Sequence, residues 1–399
     1  MAEYRRLRVN PTNSIQLVIK NRVRGREPNA FSVDVVSKHE TAVKLITLIH
    51  KLKSKKRVRL SENDRSFLIS TGVLAAEVDL PKEVSSEFLL EGDLLKWLLP
   101  DHRDEFNRID ASDLTFDRQN VYLQLRGQEI EAKDRGVPSL QGHSQKLPIV
   151  WIWDPGLLMW SYWKVTKAQA QLILGLQKRK MSASSLNLKT AELFFHARIL
   201  NSSVRVRNSK RIGQSIRQKM RTHLGRESYV VVRNVITPLQ LAFFKRYSTG
   251  LEAEGYLETD LQQVKGKRSF IHDDVLCQFV HRQSAELIRQ LSREPVLPSY
   301  SYLSVYKENA ELKAHVDREQ CAWNGSLLVN ESPMVSLDQT WPLFLKTKSG
   351  TKEVRLKPGD MVVYRGSRTL HWRNKLTAGR RQSLLLLHYV PLNFTGFLE

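Results

Sequence analysis

The chain opens with a strand-like run from Ile15 to Val23, then a helical one from Glu40 to Leu52 whose apolar positions Val43, Ile46, Leu48 and Ile49 share a face. The basic run Lys51 to Arg59 follows. Ser61 then stands as an N-cap, with Asp64 at the capping-box position, before a helix to Leu68. Arg126 to Leu147 is mostly polar, holds Gly127, Gly136, Pro138 and Gly142, shows no sustained period, and reads as a connector. Beyond it, Trp151, Trp153, Trp160, Tyr162 and Trp163 flank a turn at Asp154, Pro155 and Gly156, which predicts a hairpin. Such a cluster is a small-domain core more often than a stacking surface. Two helices are predicted after it, from Thr166 to Arg179 and from Asn187 to Leu200. They repeat the order of residues 40–74 at a constant offset of 126, so that Leu60, Phe67 and Leu68 correspond to Leu186, Leu193 and Phe194. Two related helical modules, of winged-helix type, are the expectation.

From Tyr229 the texture changes. Tyr229 to Ile236 is β-branched, Thr237 caps an amphipathic helix running towards Ser248, and a second helix spans about His272 to Leu291. Strands follow at Tyr300 to Tyr306, Ala322 to Val329, Leu343 to Thr347, Val354 to Leu356, Asp360 to Arg365 and Gln382 to Val390. Helices followed by strands predict an α+β chain whose last domain is a sheet sandwich with helical buttresses. Three domains are expected: 1–147, a mixed α/β accessory module ending in the connector; 148–226, a basic, Trp-rich helical module; and 227–399, the sheet-rich domain.

Composition adds a partner question. The net charge is +22, and residues 151–220 alone hold 13 Lys and Arg against Asp154 and Glu192, so half of the excess is concentrated there. Arg205, Arg207, Lys210, Arg211, Arg217, Lys219, Arg221 and Arg226 then run without an acid until Glu227. That stretch is the candidate for recruiting a polyanion or an acidic partner; a solvated basic face is the competing reading. Lys51 to Arg59 reads as a solvated turn or wing, against a nuclear-type targeting signal. Apolar runs such as Leu384 to Leu387 fall far short of the roughly 20 residues of a membrane helix. The basic start Met1 to Arg8 leads into Val9, Asn10, Pro11 and Thr12 rather than an apolar signal core. Cys277 and Cys321 are too few for a disulfide framework or a thiolate zinc cluster. A cytoplasmic protein without a membrane partner is expected.

The chemistry sits late in the chain. His315 and Asp317 are two apart, so in an extended segment they leave one face and can share a metal. In a chain with eleven histidines that pair is a weak signal alone. The turn Lys357, Pro358, Gly359, Asp360 launches a strand, after which His371 appears, 54 residues beyond Asp317. Two histidines and a carboxylate occupy one triangular face of an octahedron and leave three positions open, as a non-haem iron(II) site requires. Arg381 begins the last strand ten residues after His371. With a period of two, Arg381, Ser383, Leu385 and Leu387 share a face, and a guanidinium on an inward apolar face asks for an anion.

Three segments, "YSYLSVYKENAELKAHVDRE", "KPGDMVVYRGSRTLHWR" and "RRQSLLLLHYV", resemble the iron(II)/2-oxoglutarate-dependent oxygenase superfamily, in particular its prolyl-hydroxylase-like branch. The resemblance covers roughly Tyr229 to Pro391. It implies a double-stranded β-helix, or jelly roll, with His315, Asp317 and His371 binding Fe(II), Arg381 and Ser383 binding the distal carboxylate of 2-oxoglutarate, and Tyr306 donating it a hydrogen bond. Asn309 and Ala310 depart from the pattern, standing where relatives often carry a glycine-rich turn. The intact Asp317 favours hydroxylation over halogenation. A dioxygenase acting on a side chain of a peptide or protein is the expectation, with Arg205, Arg207, Lys210, Arg211, Arg217 and Lys219 recruiting the substrate. The alternatives are a nucleic-acid or nucleotide oxygenase drawn to the same positive field, and a non-catalytic cupin-like binding protein.

Overall fold

The computed structural model describes residues 85–396 except for stretches within 126–146 and residues 261 and 265; of 203–214 it describes the backbone alone. Before residue 85 it describes the backbone of three strands and of residues 61 and 63. Two compact units result, Met1–Lys82 and Glu83–Glu399.

In the first unit, β1 (Ala2–Val9), β2 (Ser14–Asn21) and β3 (Asn29–Val36) form an antiparallel meander. The strand expected from Ile15 is β2. The helices expected over 40–68, the run Lys51 to Arg59 and the earlier copy of the offset repeat lie outside the described residues.

The second unit starts with α1 (Pro100–Asn107), β4 (Leu114–Phe116) and β5 (Val121–Gln124), then the hairpin β6 (Ile149–Asp154) and β7 (Met159–Lys164). The expected hairpin is present, and its tryptophans are mostly core: Trp151, Trp160 and Trp163 are all buried. Helix α2 (Lys167–Gln177) begins at a capping box in which the Thr166 hydroxyl accepts from the Gln169 backbone, and α3 (Leu188–His196) begins at Asn187. A short β8 (Leu200–Ser202) leads into the basic helix α4 (Ser203–Glu227).

The 126–147 connector joins β5 to β6, which are neighbouring antiparallel strands of one sheet. The boundary expected at 147 is thus corrected, because it would cut through a sheet. The boundary expected at 226 crosses a continuous core: Phe88 makes edge contacts with Tyr162 and Trp163 on one side and with Phe243, Phe244 and Phe279 on the other, at centroid distances of 5.2 to 6.2 Å. Texture changes along a sequence where composition changes; a unit ends where few contacts cross.

The remainder follows the expected order. After β9 (Tyr229–Val232), Thr237 and Gln240 form a capping box for α5 (Pro238–Ala253), which has proline at its first position. Two strands, β10 (Glu258–Thr259) and β11 (Arg268–His272), precede α6 (Val275–Ser292), whose N-cap Asp274 accepts from the Leu276 and Cys277 amides. Eight strands complete the fold: β12 (Val296–Tyr306), β13 (Leu312–His315), β14 (Trp323–Ser332), β15 (Leu343–Thr347), β16 (Gly350–Val354), β17 (Met361–Tyr364), β18 (His371–Arg373) and β19 (Arg381–Pro391).

These eight strands are shared between two sheets. The larger has the order β10-β11-β12-β19-β14-β17-β9 and the smaller β13-β18-β15-β16. Every pairing within them is antiparallel. That interleaving is a jelly roll, the architecture expected from the sequence. Leu303, Leu327, Met361, Val363, Leu385, Leu387 and Tyr389 share the core of α5 and α6, so they face the helices. Tyr306, Leu328, Val362, Tyr364 and Leu384 belong to the second core, between the sheets, with Leu343 and Leu345 of the smaller sheet. The large sheet is apolar on both faces. Among the described residues, no helix is long and apolar enough to cross a membrane.

Candidate metal and co-substrate site

Three side chains converge where the small sheet meets the open end of the roll. His315 ends β13 and lies opposite His371, the first residue of β18, in register. Asp317 follows two residues later, its backbone N–H donating to the Gly366 carbonyl at 3.0 Å. The potential ligand atoms of His315, Asp317 and His371 lie within 4.8 Å of one another. His315 Nε2 is 3.3 Å from one Asp317 oxygen, and His371 Nε2 is 3.5 Å from the other.

Both histidines are oriented from behind. His315 Nδ1 lies 2.8 Å from the Lys313 carbonyl and His371 Nδ1 lies 2.8 Å from the Thr369 carbonyl. A carbonyl can only accept, so each Nδ1 carries a proton, and each Nε2 faces the carboxylate; a metal bound there would take the Nε2 lone pair in place of the proton that His315 shares with Asp317. The hydrogen bond to Asp317 raises the His315 pKa, while burial lowers that of His371. Burial works to raise Asp317, but the His315 hydrogen bond and the nearby His371 outweigh it and hold the carboxyl below its ordinary range. An anionic carboxylate and two imidazoles with converging Nε2 atoms fit a divalent cation.

The triad opens into a cavity of about 820 Å³ between the sheets. Its lining includes Tyr306, Leu384, Arg268, Arg373, Phe270 and Tyr302. Arg373, two residues after His371, is 4% exposed. It donates from one nitrogen to the Trp341 carbonyl at 2.9 Å and to the Gln382 side-chain oxygen at 3.3 Å, and its guanidinium lies 4.7 Å from the Trp341 ring centroid. Among the described residues it makes no ion pair. Arg268, by contrast, is neutralised by Asp260 at 2.7 Å. Arg373 is therefore a buried cation in this cavity without a directly bonded carboxylate; the carboxylate acting on it, Glu331, is bonded to Arg380.

Arg381 is elsewhere. It is exposed and paired with Glu252 of α5, on the helix side of the large sheet. The expected inward face of β19 is corrected: Gln382, opposite Tyr306, and then Leu384, Leu386 and His388 point between the sheets, while Arg381, Ser383, Leu385 and Leu387 point to the helices. Ser383 is buried on that far face. Tyr306 does reach the cavity wall, close to the Trp341 ring at 5.3 Å. Asn309 takes a left-handed conformation, φ 62°, which asparagine tolerates better than most residues and which lets the turn close without glycine.

Of the proposed recruitment residues, Arg205, Arg207, Lys210 and Arg211 lie on the first half of α4, where the backbone alone is described. Lys219 is exposed. Arg217 is engaged in the fold, donating to the carbonyls of Pro155 and Gly156 at 3.1 and 2.7 Å and so clamping α4 to the Trp-rich hairpin.

No family model matches the chain, and no curated protein matches it. Solved structures give partial likenesses. A prolyl-4-hydroxylase of Pseudomonas putida is 14% identical, covering 44% of this chain and 98% of that one at a TM-score of 0.37. A Trichoplax adhaerens prolyl hydroxylase in complex with a hypoxia-inducible-factor degradation-domain peptide is 12% identical, covering 48% and 94% at 0.39. EctD of S. alaskensis with 2-oxoglutarate and 5-hydroxyectoine is 15% identical, covering 44% and 76% at 0.36.

Proposed function

We propose that the chain is an Fe(II)- and 2-oxoglutarate-dependent dioxygenase that hydroxylates a side chain of a peptide or protein. The observation that carries it is the pairing, in one cavity, of a convergent His315–Asp317–His371 donor set with a buried guanidinium, Arg373, that has no carboxylate of its own. His315, Asp317 and His371 would hold the iron, leaving room for a chelating oxo-acid. Arg373, braced by Trp341 and Gln382, would receive the distal carboxylate, with Tyr306 beside it. Arg373 thus takes the role expected for Arg381. Bound iron, with 2-oxoglutarate and dioxygen, would supply the oxidising chemistry; the protein would orient the iron and the co-substrate and shape the cavity.

The size and lining of the cavity support a substrate larger than an amino acid. About 820 Å³ exceeds what a five-carbon dicarboxylate fills, and the half-buried Phe270 and Tyr302 offer ring surfaces in its lining. The exposed Lys219 and the remaining basic residues of α4 supply the recruiting charge in this reading.

The test is anaerobic addition of Fe(II) and 2-oxoglutarate to the full chain. A visible charge-transfer band, followed by succinate release on admitting oxygen, is the expected result. A protein that binds iron but gives neither band nor succinate is a metal-holding barrel, and the oxygenase reading is then wrong.

A further inference from the structure

The carboxylate of Asp317 is not held by the histidines alone. Asn324, on β14 of the opposite sheet, is 2% exposed, and its side-chain amide donates to Asp317 Oδ2. Its own oxygen lies 2.7 Å from His388 Nδ1 on β19, the residue directly across from it in register. On its other flank in register stands Tyr364 of β17, whose ring meets that of His371 edge-on at 5.0 Å. Asn324 therefore stands between two strands of the large sheet with its amide aimed at the smaller one.

The polarity of this chain of contacts is fixed. A carboxylate only accepts, so the Asn324 nitrogen must face Asp317 and its oxygen must face His388. That oxygen also only accepts, so His388 must carry its proton on Nδ1. We propose that His388 and Asn324 are positioning residues: His388 locks the Asn324 amide in one orientation, and Asn324 ties up one Asp317 oxygen so that the carboxylate offers the metal a single oxygen. A carboxylate free to turn could chelate through both oxygens and take one of the positions the co-substrate or oxygen needs.

Gly366 gives independent support for a built arrangement. A Cβ there would be driven into the Asn324 amide nitrogen, the Cys321 carbonyl and Asp317 Oδ2, all at 2.6 Å or less. Three groups are thus packed against a backbone that has no room for a side chain. Outer contacts of this kind commonly change metal affinity roughly 10- to 100-fold when removed.

The inference rests on the metal reading above, and the experiment separates the two. Titrate the full chain with Co(II) alone, in the parent and in His371→Ala, Asn324→Ala, His388→Leu and His388→Gln, recording the dissociation constant, the visible Co(II) spectrum and the melting curve. His371→Ala should lose Co(II) binding; if it binds like the parent, the triad itself is misassigned. Asn324→Ala should weaken binding roughly 10- to 100-fold and alter the Co(II) spectrum. His388→Leu should shift both in the same direction by less, and His388→Gln, which retains a donor, should restore the parent values. Parent-like affinity and spectrum in a folded Asn324→Ala overturn the proposal. Should Asn324→Ala fail to fold, equal behaviour of His388→Leu and His388→Gln overturns it instead.

Discussion

Arg373 donates to the side-chain oxygen of Gln382 at 3.3 Å, and through this bond the strand that carries His371 is tied to the cavity face of the last strand. The guanidinium also lies over the Trp341 ring, 4.7 Å from its centroid. Removing a charge-assisted hydrogen bond of this kind costs about 2–3 kcal/mol, roughly 30- to 150-fold in affinity. Arg373→Ala should raise the 2-oxoglutarate concentration needed for half-maximal succinate release by about that factor, while Arg381→Ala, which only leaves Glu252 to Lys307, should change it by less than about threefold. The reverse order would place the anchor on the outer face of β19.

Loss of a metal ligand should be clean. His315 and Asp317 sit at a strand end and in the loop beyond it, and His371 opens β18, so none is at the centre of either hydrophobic core. His315→Ala, Asp317→Ala or His371→Ala should abolish iron-dependent succinate release yet leave the far-ultraviolet circular dichroism and the melting midpoint near those of the parent. A ligand variant with full activity would remove that residue from the triad.

Gly366 is a stricter constraint than its place in a loop suggests. Gly366→Ala must displace the bonded Asn324 amide and Asp317 carboxylate, because the methyl would meet both of them and, on its third side, the Cys321 backbone carbonyl. Metal affinity should fall at least tenfold, in keeping with loss of an outer-shell contact of roughly that size. Isothermal titration with Co(II) measures it; a Gly366→Ala variant that binds like the parent would show that the loop can move away without disturbing Asp317.

The convergence of His315, Asp317 and His371 was legible because its signal is chemical and local: an HxD pair on an extended segment and a later histidine after a Pro-Gly-Asp turn, which Gly359 closes at φ 93°. The place of Arg381 was not, and the reason lies in Leu384 to Leu387. Four consecutive leucines carry no alternation, because one pair packs on the helices and the other lines the space between the sheets. Without alternation the register of β19 cannot be read, and a one-residue slip exchanges Arg381 for Gln382 on the cavity face. Arg373 did carry a signal: it is two residues from His371 on a strand and so must share its face. The domain boundaries failed for another reason. Phe88 is far in sequence from Phe243 and Phe279, and no local pattern announces that they meet.

Phe88 gives a stability test of that shared core. It is fully buried and touches five aromatic rings from both sides of the expected boundary. Phe88→Ala should destabilise the unit by about 3–5 kcal/mol, and residues 83–227 and the jelly roll should still unfold in one transition. Two separate transitions by calorimetry, with the later one unchanged, would mean that residues 83–227 and the jelly roll have independent cores.

The last test concerns pH and lies away from the metal ligands. His281 of α6 is 3% exposed; its Nε2–H donates to the His388 carbonyl at 2.6 Å, and its ring meets Tyr389 edge-on at 4.7 Å. Burial pushes its pKa down from 6.5 to about 4, a shift that the hydrogen bond to the His388 carbonyl opposes and the neighbouring Arg282 reinforces. The folded value lies below the unfolded one, so as pH falls the unfolded chain takes up the proton first. Stability is therefore complete above about 6.5, declines as pH drops towards 4, and receives no further loss from this residue below that. The full window corresponds to about 3 kcal/mol. His281→Gln cannot take up that proton, so the stability difference between variant and parent should move in the variant's favour by about that amount between pH 7 and 4. Urea unfolding of both proteins at intervals across this range measures it, and parallel curves would mean that His281 is protonated in the folded protein as readily as in the unfolded chain.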